Sequence, residues 1–181
     1  DSFKSVSKYF DRITRPEQIL ASLPQAIQVM LDTAECGPAT ISMSQDVQGE
    51  AFDYPEIFFE EKIHEIRRIH PDPREIKKAA EKIKQSQQPI IIAGGGTLYS
   101  EAENELSEFA KKHKIPVTPT VMGIGCMDKD DPYYIGAIGC LGEGSSNSLS
   151  KDTDMAIAVG TKLSDFTTGS WTNFQNSEFQ L

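Results

Sequence analysis

One stretch fixes more about this chain than any other. The apolar run Pro89-Ile90-Ile91-Ile92-Ala93 stops on Gly94-Gly95-Gly96. A continuous run of β-branched residues without alternation is what a strand buried on both faces of a parallel sheet requires. The glycines let the backbone turn sharply where a side chain would clash. After them, Ser100-Glu101-Ala102-Glu103 has the form of a capping box, and Ala102, Leu106, Phe109 and Ala110 give the following helix one apolar stripe. Ile115-Pro116-Val117-Thr118 reads as the next strand. Strand, glycine turn, helix, strand is a βαβ unit, so the fold class is α/β, a parallel sheet flanked by helices with right-handed crossovers.

The neighbouring segments fit that plan. Asp72 with Pro73 starts a helix whose apolar face is Ile76, Ala79, Ala80 and Ile83. Met155-Ala156-Ile157-Ala158-Val159 is a third buried strand, and Phe179-Gln180-Leu181 opens a fourth. Earlier in the chain, Thr14-Arg15-Pro16-Glu17 is a capping box followed by Ile19, Leu20, Leu23, Ile27, Met30 and Leu31 at helical spacing. Pro24 should kink that helix. After Gly37-Pro38, the alternation of residues 39–44 predicts a strand with one buried face. Residues 49–70 read as a linker that lies along a surface, since Phe52, Tyr54, Phe58 and Phe59 resist exposure. His64 and His70 within it read as surface residues.

The 181 residues suffice for one domain, or one domain and a piece of another. The start at Asp1 and the stop in mid-alternation at Leu181 read as a piece of a longer protein. The formal charge is −9, and residues 89–181 carry 12 acidic against 6 basic side chains. Such a chain is a poor partner for nucleic acid or anionic lipid. Hydrophobic residues make up 38% and charged residues 25%, the balance of an ordinary soluble globular protein. No apolar run approaches the roughly 18 residues that span a membrane. Cys36, Cys126 and Cys140 are odd in number and widely spaced, which suits free, buried thiols in a reducing cytoplasm.

A strand that ends in glycines before a helix is where α/β folds bind anions. The dinucleotide fingerprint G-x-G-x-x-G would need glycine at position 99, which is Tyr99. Its ribose-binding carboxylate would end the second strand, where the chain reads Thr118-Pro119-Thr120-Val121. The sequence therefore speaks against NAD binding of that kind, and the glycines serve either a nucleotide or simply a tight turn. Residues 122–125, 139–147 and 160–166 form further loops at the carboxyl edge, where such folds place ligands. No Ser-His-Asp set is present: His113 closes a helix, and Asp130-Asp131 reads as a solvated turn. No residue is assigned a catalytic or metal-binding role.

These residues resemble a known family. Residues 89–100, Ile115-Pro116-Val117, residues 120–125, Asp131-Pro132 and residues 136–139 look like the Rossmann-like central domain of thiamine-diphosphate enzymes of the acetohydroxyacid synthase type. Residues 37–48 are similar to the end of that family's pyrimidine-binding domain. Residues 9–18 and 165–170 look most like the branch that hydrolyses a cyclic 1,2-diketone in myo-inositol catabolism. The resemblance implies three parts: 1–48 as the tail of the pyrimidine-binding domain, 49–70 as a linker and 71–181 as a central domain, incomplete at both ends.

It further implies a cytoplasmic parent hydrolase that uses thiamine diphosphate and Mg²⁺ to cleave a C–C bond of a trihydroxycyclohexanedione, assembled as a homodimer or homotetramer. The glutamate that activates the cofactor and the metal-binding Gly-Asp-Gly motif have no counterpart here, so the piece alone is expected to be inactive. In synthase relatives the central domain binds FAD, and by analogy the positions are Gly94, Gly95, Gly96, Met122, Gly142, Thr161 and Asp165. Those relatives carry Asp-Asp-Arg where this chain has Ser164-Asp165-Phe166. The lost Arg removes a pyrophosphate ligand and speaks against FAD. The alternative reading is an FAD- or ADP-binding module.

Overall fold

The first 72 residues form one unit, built around a pair of parallel strands. In the computed structural model, which describes residues 1–181, β1 (Tyr9–Ile13) is joined through helix α1 (Ile19–Met30) to β2 (Ala39–Met43). The strands pair in register from Tyr9↔Ala39 to Ile13↔Met43. A short helix α2 (Gln45–Gln48) follows. Strand β1 was not expected from the sequence, because only Ile13 of its five residues is buried and no clean alternation marks it. The Asp11 carboxylate accepts from the Ser22 hydroxyl and from the Arg12 N–H at 2.8 Å, which ties α1 to β1 and holds the carboxyl below its usual range.

Local details differ from the expected ones. The helix is entered through a 3₁₀ turn, Pro16–Gln18, and the reciprocal cap is Gln18, not Glu17. The Gln18 Oε1 accepts from the backbone N–H of Thr14 at 2.7 Å and of Arg15 at 3.0 Å. Helix α1 also runs through Pro24 as one element, with Ser22 and Ala26 buried on either side of it. No residue of β2 is buried, so the expected buried face is only half formed. Within residues 49–70, Phe52 packs edge-on against Tyr54 at 4.9 Å, and the Tyr54 hydroxyl donates to the Pro16 carbonyl at 3.3 Å, but Phe59 is 70% exposed and Phe52 is exposed too, so the aromatics are sheltered only in part. His64 and His70 are exposed.

The second unit, Pro73–Leu181, holds the main core. It runs α3 (Pro73–Gln85), β3 (Pro89–Ala93), α4 (Gly95–Tyr99), α5 (Glu103–His113), β4 (Val117–Pro119), α6 (Gly144–Asp152), β5 (Met155–Val159) and α7 (Asp165–Thr168). The sheet order is β4-β3-β5, all parallel, with Ile91 opposite Val117 on one side and Ile157 on the other. Single parallel bridges extend it, Val117↔Tyr134 at one edge and Met155↔Gln180 at the other. The chain thus builds outward from β3 to one side, then returns and builds to the other.

Because side chains alternate across a strand, β3 serves two cores. Ile91 and Ala93 pack with Leu106, Ala110, Val117 and Cys126 on one face. Ile90 and Ile92 pack with Ile138 and Ala156 on the other, joined by Phe174 and Phe179, which stack at 4.5 Å. Each fully buried isoleucine contributes on the order of 1.5–3 kcal/mol. The three central isoleucines bear out the buried-strand reading. Strand β5 does not match it fully, since Ala158 at its carboxyl end is exposed.

Four further expectations are corrected. Ser100 does not cap: α5 begins after Ala102 with no side-chain cap, and Glu101, at φ 54°, separates it from the short α4 that the glycines themselves open. Helix α3 buries none of its residues, and Ile76 is 53% exposed; only Ile83 reaches the core. Of the three free cysteines only Cys126 is buried, where burial pushes its thiol up; Cys36 and Cys140 are exposed.

Asp131 is no solvated turn either. Its side chain is 4% exposed and pairs with the Lys111 ammonium at 2.8 Å. It also accepts from the Tyr133 N–H at 3.0 Å and the Ser107 hydroxyl at 3.2 Å. The Lys111 contact foremost holds its carboxyl low, against the opposing effect of burial. Asp131→Asn should therefore lose about 1 kcal/mol at neutral pH, or about 2–4 °C in Tm. Thermal scans should show that gap shrinking in acid, once the wild-type carboxylate is protonated. No helix is long and apolar enough to cross a membrane.

Candidate functional site

Three strand ends meet at one crevice. After β3, Gly94 stays extended and α4 begins at Gly95. After β4, Thr120 leads into a tight turn closed by the Gly123 N–H on the Thr120 carbonyl at 2.8 Å. After β5, Gly160 turns at φ 58° and Leu163 at φ 47° before α7. A fourth loop joins them, because the Cys140 N–H donates to the Phe166 carbonyl at 2.8 Å. Between these loops lies a cleft of about 440 Å³. It sits where the chain reverses its building direction across the sheet, the place where open α/β sheets accommodate ligands.

The structure brings four of the seven expected positions to this cleft. Gly95, Gly96, Met122 and Thr161 form part of its wall. Gly94 lies beneath it, buried; a Cβ there would stand 2.3 Å from the Gly160 carbonyl. Gly142 lies off the wall, with its N–H on the Gly139 carbonyl at 2.9 Å. Asp165 is exposed at the start of α7, off the wall as well, although its neighbours Ser164 and Phe166 are on it.

Several wall residues were not named as site positions: Tyr99, Thr120, Val121, Leu141, Phe166 and Thr167, although Leu141 and Phe166 lie in the loops 139–147 and 160–166 expected at the carboxyl edge. Each is one to eight residues beyond a strand or turn that was recognised, so the rule that strand ends carry the site would have found most of them. Tyr99, Met122, Leu141 and Phe166 are each more than 60% exposed, an unusual grouping of large apolar side chains. Lys162 is the one charged residue on the wall. The wall carries no carboxylate, histidine or cysteine, so this arrangement can hold a ligand but offers no acid–base pair. Under the loop, the Thr97 hydroxyl is buried without a hydrogen-bond partner.

Residues 76–181 match the family described as thiamine pyrophosphate enzyme, central domain. The chain belongs to that family. The chain has relatives that match it along nearly its whole length. It is 47% identical over 174 residues, 96% of the chain, to a protein of Bacillus velezensis named 3D-(3,5/4)-trihydroxycyclohexane-1,2-dione hydrolase. It is 42% identical over all 181 residues to proteins of the same name from Bacillus thuringiensis and Bacillus cereus. The chain spans 27% to 28% of the length of these relatives.

The residues of this chain do not fit the cofactor that the family's description gives, thiamine pyrophosphate. No three of His, Cys, Asp and Glu converge as a metal site would need. No Gly-Asp-Gly occurs in the sequence. The crevice of the central domain presents no carboxylate to a thiamine ring. No catalytic step is therefore derived through that cofactor from these residues.

Proposed function

We propose that this chain is part of a thiamine-diphosphate-dependent hydrolase that opens the ring of a trihydroxycyclohexane-1,2-dione in inositol catabolism. The observation that carries this is the 42–47% identity to hydrolases of that name, sustained from the first residues to the last. In this reading residues 71–181 are the central domain, residues 1–48 the tail of the pyrimidine-binding domain, and residues 49–70 the linker between them. The two-stranded parallel sheet of residues 1–72 supports that division, since so small a sheet needs further strands to be stable.

The part these residues play is a scaffold. The doubly cored β3 holds the strand ends in fixed positions, and the cofactor, when bound by the complete enzyme with Mg²⁺, supplies the carbanion chemistry. The complete enzyme works in the cytoplasm as a homodimer or homotetramer in this proposal.

The test uses the protein expressed from its complete reading frame, supplied with thiamine diphosphate, Mg²⁺ and the cyclic dione. Ring opening should appear as one carboxylic acid released per dione consumed, with no acetolactate formed from pyruvate. Condensation of pyruvate with no turnover of the dione would overturn the reading in favour of a synthase.

A further inference from the structure

We infer that the glycine loop at this crevice is not a pyrophosphate cradle, so that the domain takes no pyrophosphate-bearing cofactor such as FAD. The resemblance to flavin-carrying synthases implies such a cofactor at Gly94–Gly96. Three observations at that loop disagree with it.

The first concerns donors. A phosphate cradle works by presenting backbone N–H groups that have no partner within the protein. Here the Gly94 N–H donates to the Val159 carbonyl at 2.8 Å and the Gly96 N–H to the Gly160 carbonyl at 2.9 Å. The Thr97 N–H turns back on the Gly94 carbonyl at 3.1 Å. The glycine loop is thus fastened to the end of β5, and a pyrophosphate would have to break those bonds to use the same donors.

The second concerns space. Glycines in a cradle lack a Cβ so that a ligand can approach. A Cβ on Gly94 would stand 2.3 Å from the Gly160 carbonyl, and one on Gly96 would stand 2.6 Å from the Gly160 Cα. Reciprocally, a Cβ on Gly160 would meet the Thr97 nitrogen at 2.6 Å. The room the glycines leave is filled by the opposite loop, not held for a ligand.

The third concerns charge. A pyrophosphate carries two negative charges and is best met by an arginine fork. The wall offers Lys162 alone, while Phe166 brings an aromatic ring to the stretch Ser164-Asp165-Phe166. With Met122 and Leu141 on the same wall, the space in front of the loop suits uncharged groups.

The inference stands apart from the proposed hydrolase activity. Ring opening without flavin binding leaves both standing, and ring opening with flavin binding removes only this one. The protein from the complete reading frame, first saturated with thiamine diphosphate and Mg²⁺ so that its own diphosphate site is filled, would be titrated with FAD, ADP and inorganic pyrophosphate, each followed by thermal unfolding. A ligand at a hundred times its dissociation constant raises Tm by about 5–10 °C in a domain of this size. No saturable rise with any of the three is expected, and a saturable rise with any one overturns the inference.

Gly96→Ala supplies the second arm. Its methyl group meets the Gly160 backbone, so the ligand-free Tm should fall by several degrees. Gly144→Ala, where nothing lies within 4 Å, serves as the control and should leave Tm unchanged. An unchanged ligand-free Tm for Gly96→Ala would show a loop with room to spare and would also overturn the inference.

Discussion

Replacing Ile91 by alanine should lower stability by about 3–4 kcal/mol and Tm by about 10 °C. Ile91 is fully buried in the central strand, with paired neighbours on both sides. Its side chain packs with Leu106 and Ala110 of α5 and with Val117 of β4. Truncation removes three carbons from a place where the surrounding elements are held by strand pairing and cannot close in, so a cavity remains. Ile76→Ala is the internal comparison. That side chain is largely exposed, and its loss should change stability by no more than about 0.5 kcal/mol. Urea unfolding of the two variants measures the contrast. Equal losses would mean that the buried sheet is not what holds this unit together.

Asp154→Ala should be the costliest change at a polar position, about 2 kcal/mol. Its carboxylate accepts from the Ser86 hydroxyl and from the backbone N–H groups of Gln87 at 2.7 Å and Gln88 at 3.0 Å. One side chain at the start of β5 thereby fixes the whole turn between α3 and β3. Burial pushes the Asp154 carboxyl up, but the three donors together outweigh it and hold the group below its ordinary value. A carboxyl lowered in the folded state stabilises the protein above its unfolded pKa, near 3.9, and loses that contribution as pH falls through the folded value. The Tm curves of wild type and variant should therefore lie apart at pH 7 and converge below about pH 4. Curves that stay parallel into acid would show that the carboxylate is not what fixes the turn.

The sheet was readable because strand composition and burial agree. Three isoleucines in a row have few other uses, and the glycines after them fix where the strand must end. What was unreadable depended on partners distant in sequence. Strand β1 owes its form to pairing with residues thirty positions away, and its own pattern is mixed. Asp131 looks like turn punctuation until Lys111 is brought to it by the α5–β4 crossover. The strong apolar periodicity of α3 predicted a buried face that the structure leaves mostly in solvent.

At the site, Gly95, Gly96, Met122 and Thr161 could be found from the rule that strand ends gather at one edge. Phe166 and Leu141 fell in loops expected at that edge, but that they share one wall rests on the Cys140–Phe166 backbone contact between those loops, which no local pattern shows. The glycine triplet itself was ambiguous in sequence. A cradle and a close loop crossing demand the same residue, and only the position of Gly160 tells them apart.

Helix α3 has a consequence for how the second unit breathes. Thirteen residues of regular hydrogen bonding rest on the core through Ile83 but bury no residue of their own. Such a helix opens at a free energy set by its own turns, far below that of the sheet. Its amide protons and those of β3 therefore keep different clocks: the helix times local fraying, the strand times the loss of the whole unit.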